Sequence, residues 1–131
     1  MKLALGLGCD RGTPAETISR AVDAALRSCG ATLAEVVAVA SIDLKADEGG
    51  LQEAAREHGW DIRFYSAAAL AAVEVPNPSE TVRKHTGTPS VSEAAALLAA
   101  GADIYGLIVE KHKLRGPDGR NATVSIARIP Q

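Results

Sequence analysis

The chain has 131 residues, of which 47% are hydrophobic, and this predicts a single domain over residues 1–131 with one buried core. A net charge of −2 and an aromatic content of 3% exclude the basic, aromatic-rich surface that most nucleic-acid-binding proteins use, so we expect no nucleic acid as a partner. The apolar start, interrupted by Gly6 and Gly8, is too short for a secretory or membrane segment, and we expect a soluble, cytoplasmic protein that does not bind membranes.

The first half of the chain predicts the order strand, helix, strand, helix, strand. The three strands are predicted at Lys2–Gly8, Val36–Ala40 and Trp60–Tyr65, from two apolar runs and one alternating segment. The second strand is apolar without interruption, as is typical of a strand covered on both faces in the middle of a sheet.

The two helices between these strands have recognisable ends. Apolar residues recur at three- and four-residue steps in the first helix, with Thr13 as its N-cap, Glu16 as the capping-box partner and Gly30 as its end. The second helix buries one face and ends at Gly59.

Residues 66–89 are less regular, and we interpret them as a functional connection that contains a turn of helix, a proline-rich extended piece and a short helix over Ser79–His85. A further long helix is then predicted from a second capping box, formed by Ser90 and Glu93, to Gly101.

Two final strands are predicted at Ile104–Val109 and Ala122–Ile129, and the turn Gly116–Gly119 between them favours an antiparallel hairpin. We therefore expect an α/β fold: a three-layer α/β/α sandwich around a mixed, mostly parallel sheet of about five strands, with the last strand antiparallel and near the edge.

Two glycine-containing loops each precede a predicted helix, where free N–H groups and the helix dipole favour an anion. The first loop lacks the Lys-Ser/Thr pair of a P-loop and the usual register of a dinucleotide motif. The alternative interpretation of the first loop is a tight turn with Thr13 as a helix cap, but this interpretation gives no reason for Arg11. The predicted ligand contacts in the two loops are Gly8, Arg11, Gly12, Thr13, Gly87, Thr88 and Ser90.

Basic residues follow two of the predicted strands. Lys45 lies after the second strand, and Lys111, His112, Lys113 and Arg115 lie after the fourth. Such charges are often only solvated, but ligands of open α/β sheets bind beyond the carboxyl ends of the strands. We therefore predict that Lys45 and Lys111 contribute to a positive wall for a ligand with several carboxylates.

Three residues are weak candidates for catalysis. Cys9 lies at a strand end near a helix N-terminus, where its pKa can fall, although without a nearby general base a packing role is the alternative. Glu48 and Glu93 are candidates to activate water, and both are also explained by their places at helix starts. No Cys or His spacing suggests metal ligands, so we expect no metal and no other cofactor.

Four stretches of the sequence match a known family in order. The chain resembles, over nearly its whole length, the cobalamin-biosynthesis family of CobE and the C-terminal domain of CbiG. The matching stretches are Gly8–Thr13, Ala40–Glu48, Val75–Ser79 and Gly87–Ala96, and the closing Leu114–Ile129 also fits.

This resemblance implies a role in corrin-ring synthesis. The larger relative opens the ring-A lactone of a cobalt-precorrin and releases a two-carbon fragment as acetaldehyde, whereas this chain, whose first strand begins at Lys2, resembles a stand-alone form. The implied function is binding of a polycarboxylate precorrin or corrinoid intermediate, to hold it, deliver it or assist its processing. The alternatives are a hydrolase of the lactone-opening type and a non-catalytic partner module of another cobalamin-pathway enzyme.

Overall fold

A five-stranded sheet organises the computed structural model, which describes residues 1–131. Its strands are β1 (Leu3–Cys9), β2 (Val36–Ile42), β3 (Arg63–Tyr65), β4 (Leu107–Arg115) and β5 (Asn121–Arg128). They lie in the order β3-β2-β1-β5-β4. The first three strands pair in parallel, whereas β5 is antiparallel to both β1 and β4. The predicted mixed sheet is confirmed, with its antiparallel strand one place from the edge.

Five α-helices surround this sheet: α1 (Ala15–Ser28), α2 (Gly49–His58), α3 (Ala67–Ala71), α4 (Glu80–Thr86) and α5 (Val91–Ala100). Alternate residues of β1 point to opposite faces. On one face, Leu3, Leu5 and Leu7 pack with α1 and α2, and on the other, Ala4 packs with α5. The three-layer arrangement follows from these two cores. None of the helices is both long and apolar enough to cross a membrane.

The close contact between β1 and α5 depends on Gly6. A Cβ atom at this position would overlap the carbonyl oxygen of Ser92 in the first turn of α5. Ala4, farther back on the same face, shares a core cluster with Ala96 and Ala100. The N-terminus of α5 therefore points toward the carboxyl end of β1.

Two predicted strand boundaries are wrong. The fourth strand was predicted at Ile104–Val109, but Ile104–Gly106 forms a turn of 3₁₀-helix in which the Asp103 carboxylate accepts a hydrogen bond from the Tyr105 N–H at 3.1 Å. The strand begins at Leu107 and continues to Arg115. The third strand is also shorter than predicted, because only its last three residues pair with β2.

The predicted helix ends are correct where glycine stops the helix. Gly30, Gly59 and Gly101 have φ values of 69°, 72° and 65°, in the left-handed region that glycine adopts without strain. The capping boxes are wrong. The Thr13 hydroxyl donates to the Asp10 carbonyl at 2.7 Å instead of capping α1, and the Ser90 hydroxyl makes no cap hydrogen bond to α5.

Candidate functional site

A cleft of about 480 Å³ opens beyond the carboxyl ends of β1 and β2, next to the N-terminus of α5. One wall is α4, which contributes Val82, His85 and Thr86. The opposite rim consists of the loop after β1 and the turn after β2, which contribute Arg11 and Lys45. We call this space the cleft.

The floor of the cleft is a row of three residues across the sheet. Gly8 of β1 pairs with Thr123 of β5, and Thr123 pairs with Lys113 of β4. Paired residues on neighbouring strands point to the same face, and Gly8 shares its face with Gly6, which α5 covers. The floor is therefore the first part of that face which α5 leaves open.

The charges that line the cleft are predominantly positive, although the whole chain has a net charge of −2. The lining contains one carboxylate, that of Asp10, and four basic side chains, those of Arg11, Lys45, Lys111 and Lys113. Asp10 is already engaged, because its Oδ2 accepts hydrogen bonds from the N–H and side-chain amide of Asn121 at 2.8 and 3.1 Å. Arg11 and Lys45 have carboxylate partners outside the lining, Asp47 at 3.8 Å and Glu48 at 3.7 Å, whereas Lys111 and Lys113 form no ion pair.

The backbone of the first loop is held from several sides. The Asp10 N–H donates to the Asn121 carbonyl at 3.0 Å, and the Arg120 Nε donates to the Arg11 carbonyl at 3.0 Å. The Arg11 side chain itself is 66% exposed and lies 3.8 Å from the carboxylate of Asp47, which is also exposed. The loop is thus fixed while the guanidinium stays accessible.

The first predicted anion site is filled by a carboxylate of the protein itself. Glu48 Oε1 accepts a hydrogen bond from the Gly12 N–H at 3.1 Å, and its Oε2 lies 3.7 Å from Lys45 Nζ. Gly50 packs so closely on the Thr13 carbonyl that a Cβ atom would overlap it. Gly12 and the buried Thr13 therefore lie outside the cleft lining, and Glu48 serves the loop before α1 rather than its own helix.

The second predicted loop is divided between two roles. Gly87 ends α4 with φ 81°, and its N–H donates to the Arg83 carbonyl at 2.9 Å. The Thr88 N–H donates a hydrogen bond to the Thr86 hydroxyl at 3.3 Å. Gly87 and Thr88 do not line the cleft, but Ser90 does, and its buried hydroxyl has no hydrogen-bond partner. The open helix N-terminus at this site is therefore that of α5.

Glu93 anchors the extended segment Val75–Ser79 instead of completing a capping box. The Asn77 side-chain amide donates to Glu93 Oε2 at 2.7 Å and to Glu110 Oε1 at 3.0 Å. The Asn77 carbonyl in turn accepts a hydrogen bond from Lys111 Nζ at 3.2 Å. Glu93 is fully buried and does not line the cleft.

The Cys9 thiol lines the cleft, but its environment opposes the thiolate. Burial raises the pKa of Cys9 to about 11, and the favourable charge of Lys45 does not offset this effect. The thiol is therefore protonated at neutral pH, and the nucleophilic interpretation of Cys9 loses its support. The structure favours the packing interpretation of Cys9.

The structure brings some of the sequence-predicted residues together and separates others. Those that line the cleft are Gly8, Cys9, Arg11, Lys45, Ser90 and Lys111. Those outside its lining are Gly12, Thr13, Glu48, Gly87, Thr88 and Glu93. No group of three or more His, Cys, Asp or Glu side chains is placed to hold a metal ion. A second hollow of about 410 Å³ at the amino end of β2, around His58 and Trp60, contains none of the predicted residues.

The wall formed by α4 and the central floor residue Thr123 are not among the site residues predicted from the sequence. The alternation of Thr123 and Ser125 with apolar residues in β5 shows that these two share one face, but only the register with β1 places that face under the cleft.

The comparisons with known proteins agree on one family. A model of the family described as cobalamin synthesis G C-terminus matches residues 3–127. A cobalt-precorrin-5A hydrolase of Priestia megaterium is 40% identical over 128 residues, which are 98% of this chain and 32% of the hydrolase. The chain thus spans about a third of the length of that relative.

Two shorter relatives match over more of their own length. Protein CobE of a Sinorhizobium species is 41% identical over 111 residues, or 83% of this chain and 71% of CobE. A crystal structure of CobE, described as a protein from the cobalamin (vitamin B12) biosynthetic pathway, has a TM-score of 0.83 and 36% identity, covering 98% of this chain and 91% of that one.

Proposed function

The chain belongs to the cobalamin synthesis G C-terminus family, as its motifs predicted, and we propose that it binds a polycarboxylate precorrin or corrinoid intermediate in the cleft. The observation that carries this proposal is the charge of the cleft. Four basic side chains line it against one engaged carboxylate, and two of them, Lys111 and Lys113, have no ion-pair partner, in a chain whose net charge is negative. Bound there, the intermediate is held for delivery to, or processing by, other enzymes of the pathway.

The spread of the cations favours a ligand with several separated carboxylates. Lys45 follows β2, Arg11 follows β1, and Lys113 lies on β4, so the positive groups extend across four neighbouring strands. At a strand spacing of about 4.8 Å, β2 and β4 are separated by roughly 14 Å. A single phosphate or carboxylate does not reach both ends of this row, whereas the acetate and propionate arms of a tetrapyrrole-derived ring do.

Hydrolysis of such an intermediate is the alternative, and the name of the longer relative is what supports it. In this chain, neither Glu48 nor Glu93 lines the cleft, and the thiol of Cys9 is protonated. None of the three candidates from the sequence therefore supplies a base to the cleft, which favours binding over turnover; the imidazole of His85, which lines the cleft, is the group that the hydrolase alternative would need. A partner module that completes another pathway enzyme is the third interpretation.

A titration with cobyrinic acid, a corrinoid with free carboxylates, tests binding directly. We expect a calorimetric signal and a change in the corrinoid absorbance with wild-type protein at low salt, and weaker binding at high salt. The methyl ester of the same corrinoid is the uncharged control. Saturable binding of the ester with the same affinity as the acid contradicts the charge-based proposal.

Variants of two lysines localise the binding. Lys113→Gln removes a floor cation, and because a charge-assisted hydrogen bond contributes about 1.5–3 kcal/mol, affinity should fall by roughly ten- to a hundred-fold. The matched control is Lys84→Gln, which removes an exposed charge of α4 outside the cleft lining. Equal losses in the two variants would show that only the net charge matters.

Product analysis distinguishes the three interpretations. Incubation with cobalt-precorrin-5A should leave the compound unchanged but protein-bound, whereas release of acetaldehyde supports the hydrolase. Absence of binding to any corrinoid favours the partner module.

A cytoplasmic location and the absence of a metal or other cofactor stay predictions. Elemental analysis of the purified protein tests the prediction that it contains no metal.

A further inference from the structure

Two glycines of β1 lie on the same face, two residues apart, and have different reasons to be glycine. Gly6 has no room for a side chain, because a Cβ atom would overlap the backbone of α5. At Gly8, a Cβ atom would meet nothing closer than the Cβ of Thr123, at 3.9 Å. The fold therefore requires glycine at position 6 and has room for a larger residue at position 8.

Backbone conformation does not require glycine at position 8 either. Its φ is not positive, and the pairing of β1 with β5 runs through it without a bulge, from Gly6 with Ser125 to Cys9 with Ala122. A glycine inside a strand weakens that strand, and it often marks a place where a ligand or another backbone approaches closely. No backbone atom of another element lies within 4 Å of the place that a Cβ atom of residue 8 would occupy.

We propose that Gly8 is a specificity-determining residue, whose missing side chain lets the flat face of a macrocycle lie against the sheet. Gly8 is on the cleft floor between the cations that follow β1 and β2 and the lysines of β4. Carbon atoms of a stacked ring pack at about 3.5–4.0 Å from the surface below them, so a side chain at this position displaces the ring. The inference rests on the proposed function and adds the shape of the ligand to its charge.

A graded series of variants tests this inference with cobyrinic acid as the probe. Gly8→Ala, Gly8→Val and Gly8→Leu should keep or raise the thermal unfolding temperature, because each suits a strand better than glycine does. Affinity should fall in the order of side-chain volume, slightly for alanine, by about tenfold for valine and by up to about a hundred-fold for leucine.

Gly49→Val is the matched control, since it adds the same side chain at the exposed start of α2, outside the cleft lining, where a Cβ atom would meet nothing within 4 Å and φ is not positive. We expect it to bind like wild type. If Gly8→Leu fails to fold, the alanine and valine variants decide the outcome.

The outcomes separate this inference from the proposed function. Absence of binding by the wild-type protein overturns both. Binding by wild type together with unchanged affinity in Gly8→Val and Gly8→Leu overturns the role of Gly8 alone. Equal losses in Gly8→Val and Gly49→Val also overturn it, because they show that a valine in place of a glycine lowers the affinity even outside the cleft.

Discussion

Removing the ammonium group of Lys45 tests whether Glu48 is the anion that the loop before α1 holds. The Glu48 side chain is 7% exposed and that of Lys45 is 17% exposed, with Nζ and Oε2 3.7 Å apart. In Lys45→Gln the carboxylate keeps only its hydrogen bond from the Gly12 N–H. An uncompensated buried charge costs about 3–5 kcal/mol, and since water still reaches this pair in part, we expect a loss of about 1–3 kcal/mol.

The companion variants complete a double-mutant cycle. Glu48→Gln keeps the acceptor for Gly12 and leaves Lys45 free to turn toward solvent, so it should cost less than Lys45→Gln. The double variant removes both charges and should recover at least about 1 kcal/mol of the loss. Urea denaturation of all four proteins, analysed as a two-state transition, measures this coupling.

An exposed ion pair provides the control for this cycle. Arg20 and Glu16 lie one helical turn apart at 2.9 Å, and both are mostly exposed. Arg20→Gln should therefore change the free energy of unfolding by less than about 0.5 kcal/mol. The reasoning is refuted if Lys45→Gln is as stable as wild type, because the Glu48 carboxylate then does not depend on its cation and is available for another role.

Three further predictions concern the cleft. Arg11→Ala should leave the free energy of unfolding unchanged, because the side chain is mostly exposed, and should weaken cobyrinic acid binding about tenfold at low salt. Arg56→Ala, outside the cleft, is the control. Equal affinities of the two variants for cobyrinic acid contradict a contact between Arg11 and the ligand. Ser90→Ala should change stability by less than about 0.5 kcal/mol, since its hydroxyl makes no cap hydrogen bond, but should weaken binding; a stability loss of about 1 kcal/mol would restore the capping role. Because burial raises the pKa of Cys9 to about 11, its alkylation by iodoacetamide, followed by mass spectrometry, should be slow at pH 8. The rate of alkylation should rise about tenfold per pH unit until the pH reaches the pKa. Labelling at pH 8 as fast as that of free cysteine would disprove the burial effect.

The order of elements was predictable because it depends on local signals. The apolar steps of α1, the continuous apolar run of β2 and the glycines that stop three helices are properties of neighbouring residues. The fourth strand was misplaced for a physical reason: β4 is at the edge of the sheet, and its alternation of exposed lysines with half-buried residues resembles a polar loop when its partner strand is unknown.

The site was less predictable, because distant contacts decide which polar groups stay free. Thr13 and Ser90 have the same capping-box spacing to a glutamate. The Thr13 hydroxyl donates to the Asp10 carbonyl and also lies 3.3 Å from the carbonyl of Asn121 in β5, whereas the Ser90 hydroxyl has no partner. No local pattern distinguishes these two outcomes, since the difference comes from a strand more than a hundred residues away in the first case.

The two helix N-termini near the cleft differ in whether groups of the protein itself cover them. A free N-terminus attracts negative charge, so two open ones would offer competing sites. In the loop before α1, Glu48 accepts the hydrogen bond of the Gly12 N–H and Gly50 packs on the Thr13 carbonyl, so this loop is covered by groups of the protein itself. At α5, the buried Ser90 hydroxyl is left without a partner, next to the floor where Gly8 provides space. The basic side chains and the open floor therefore lie in the same cleft, and the proposed binding of a flat ring by both its face and its carboxylates needs both of these features together.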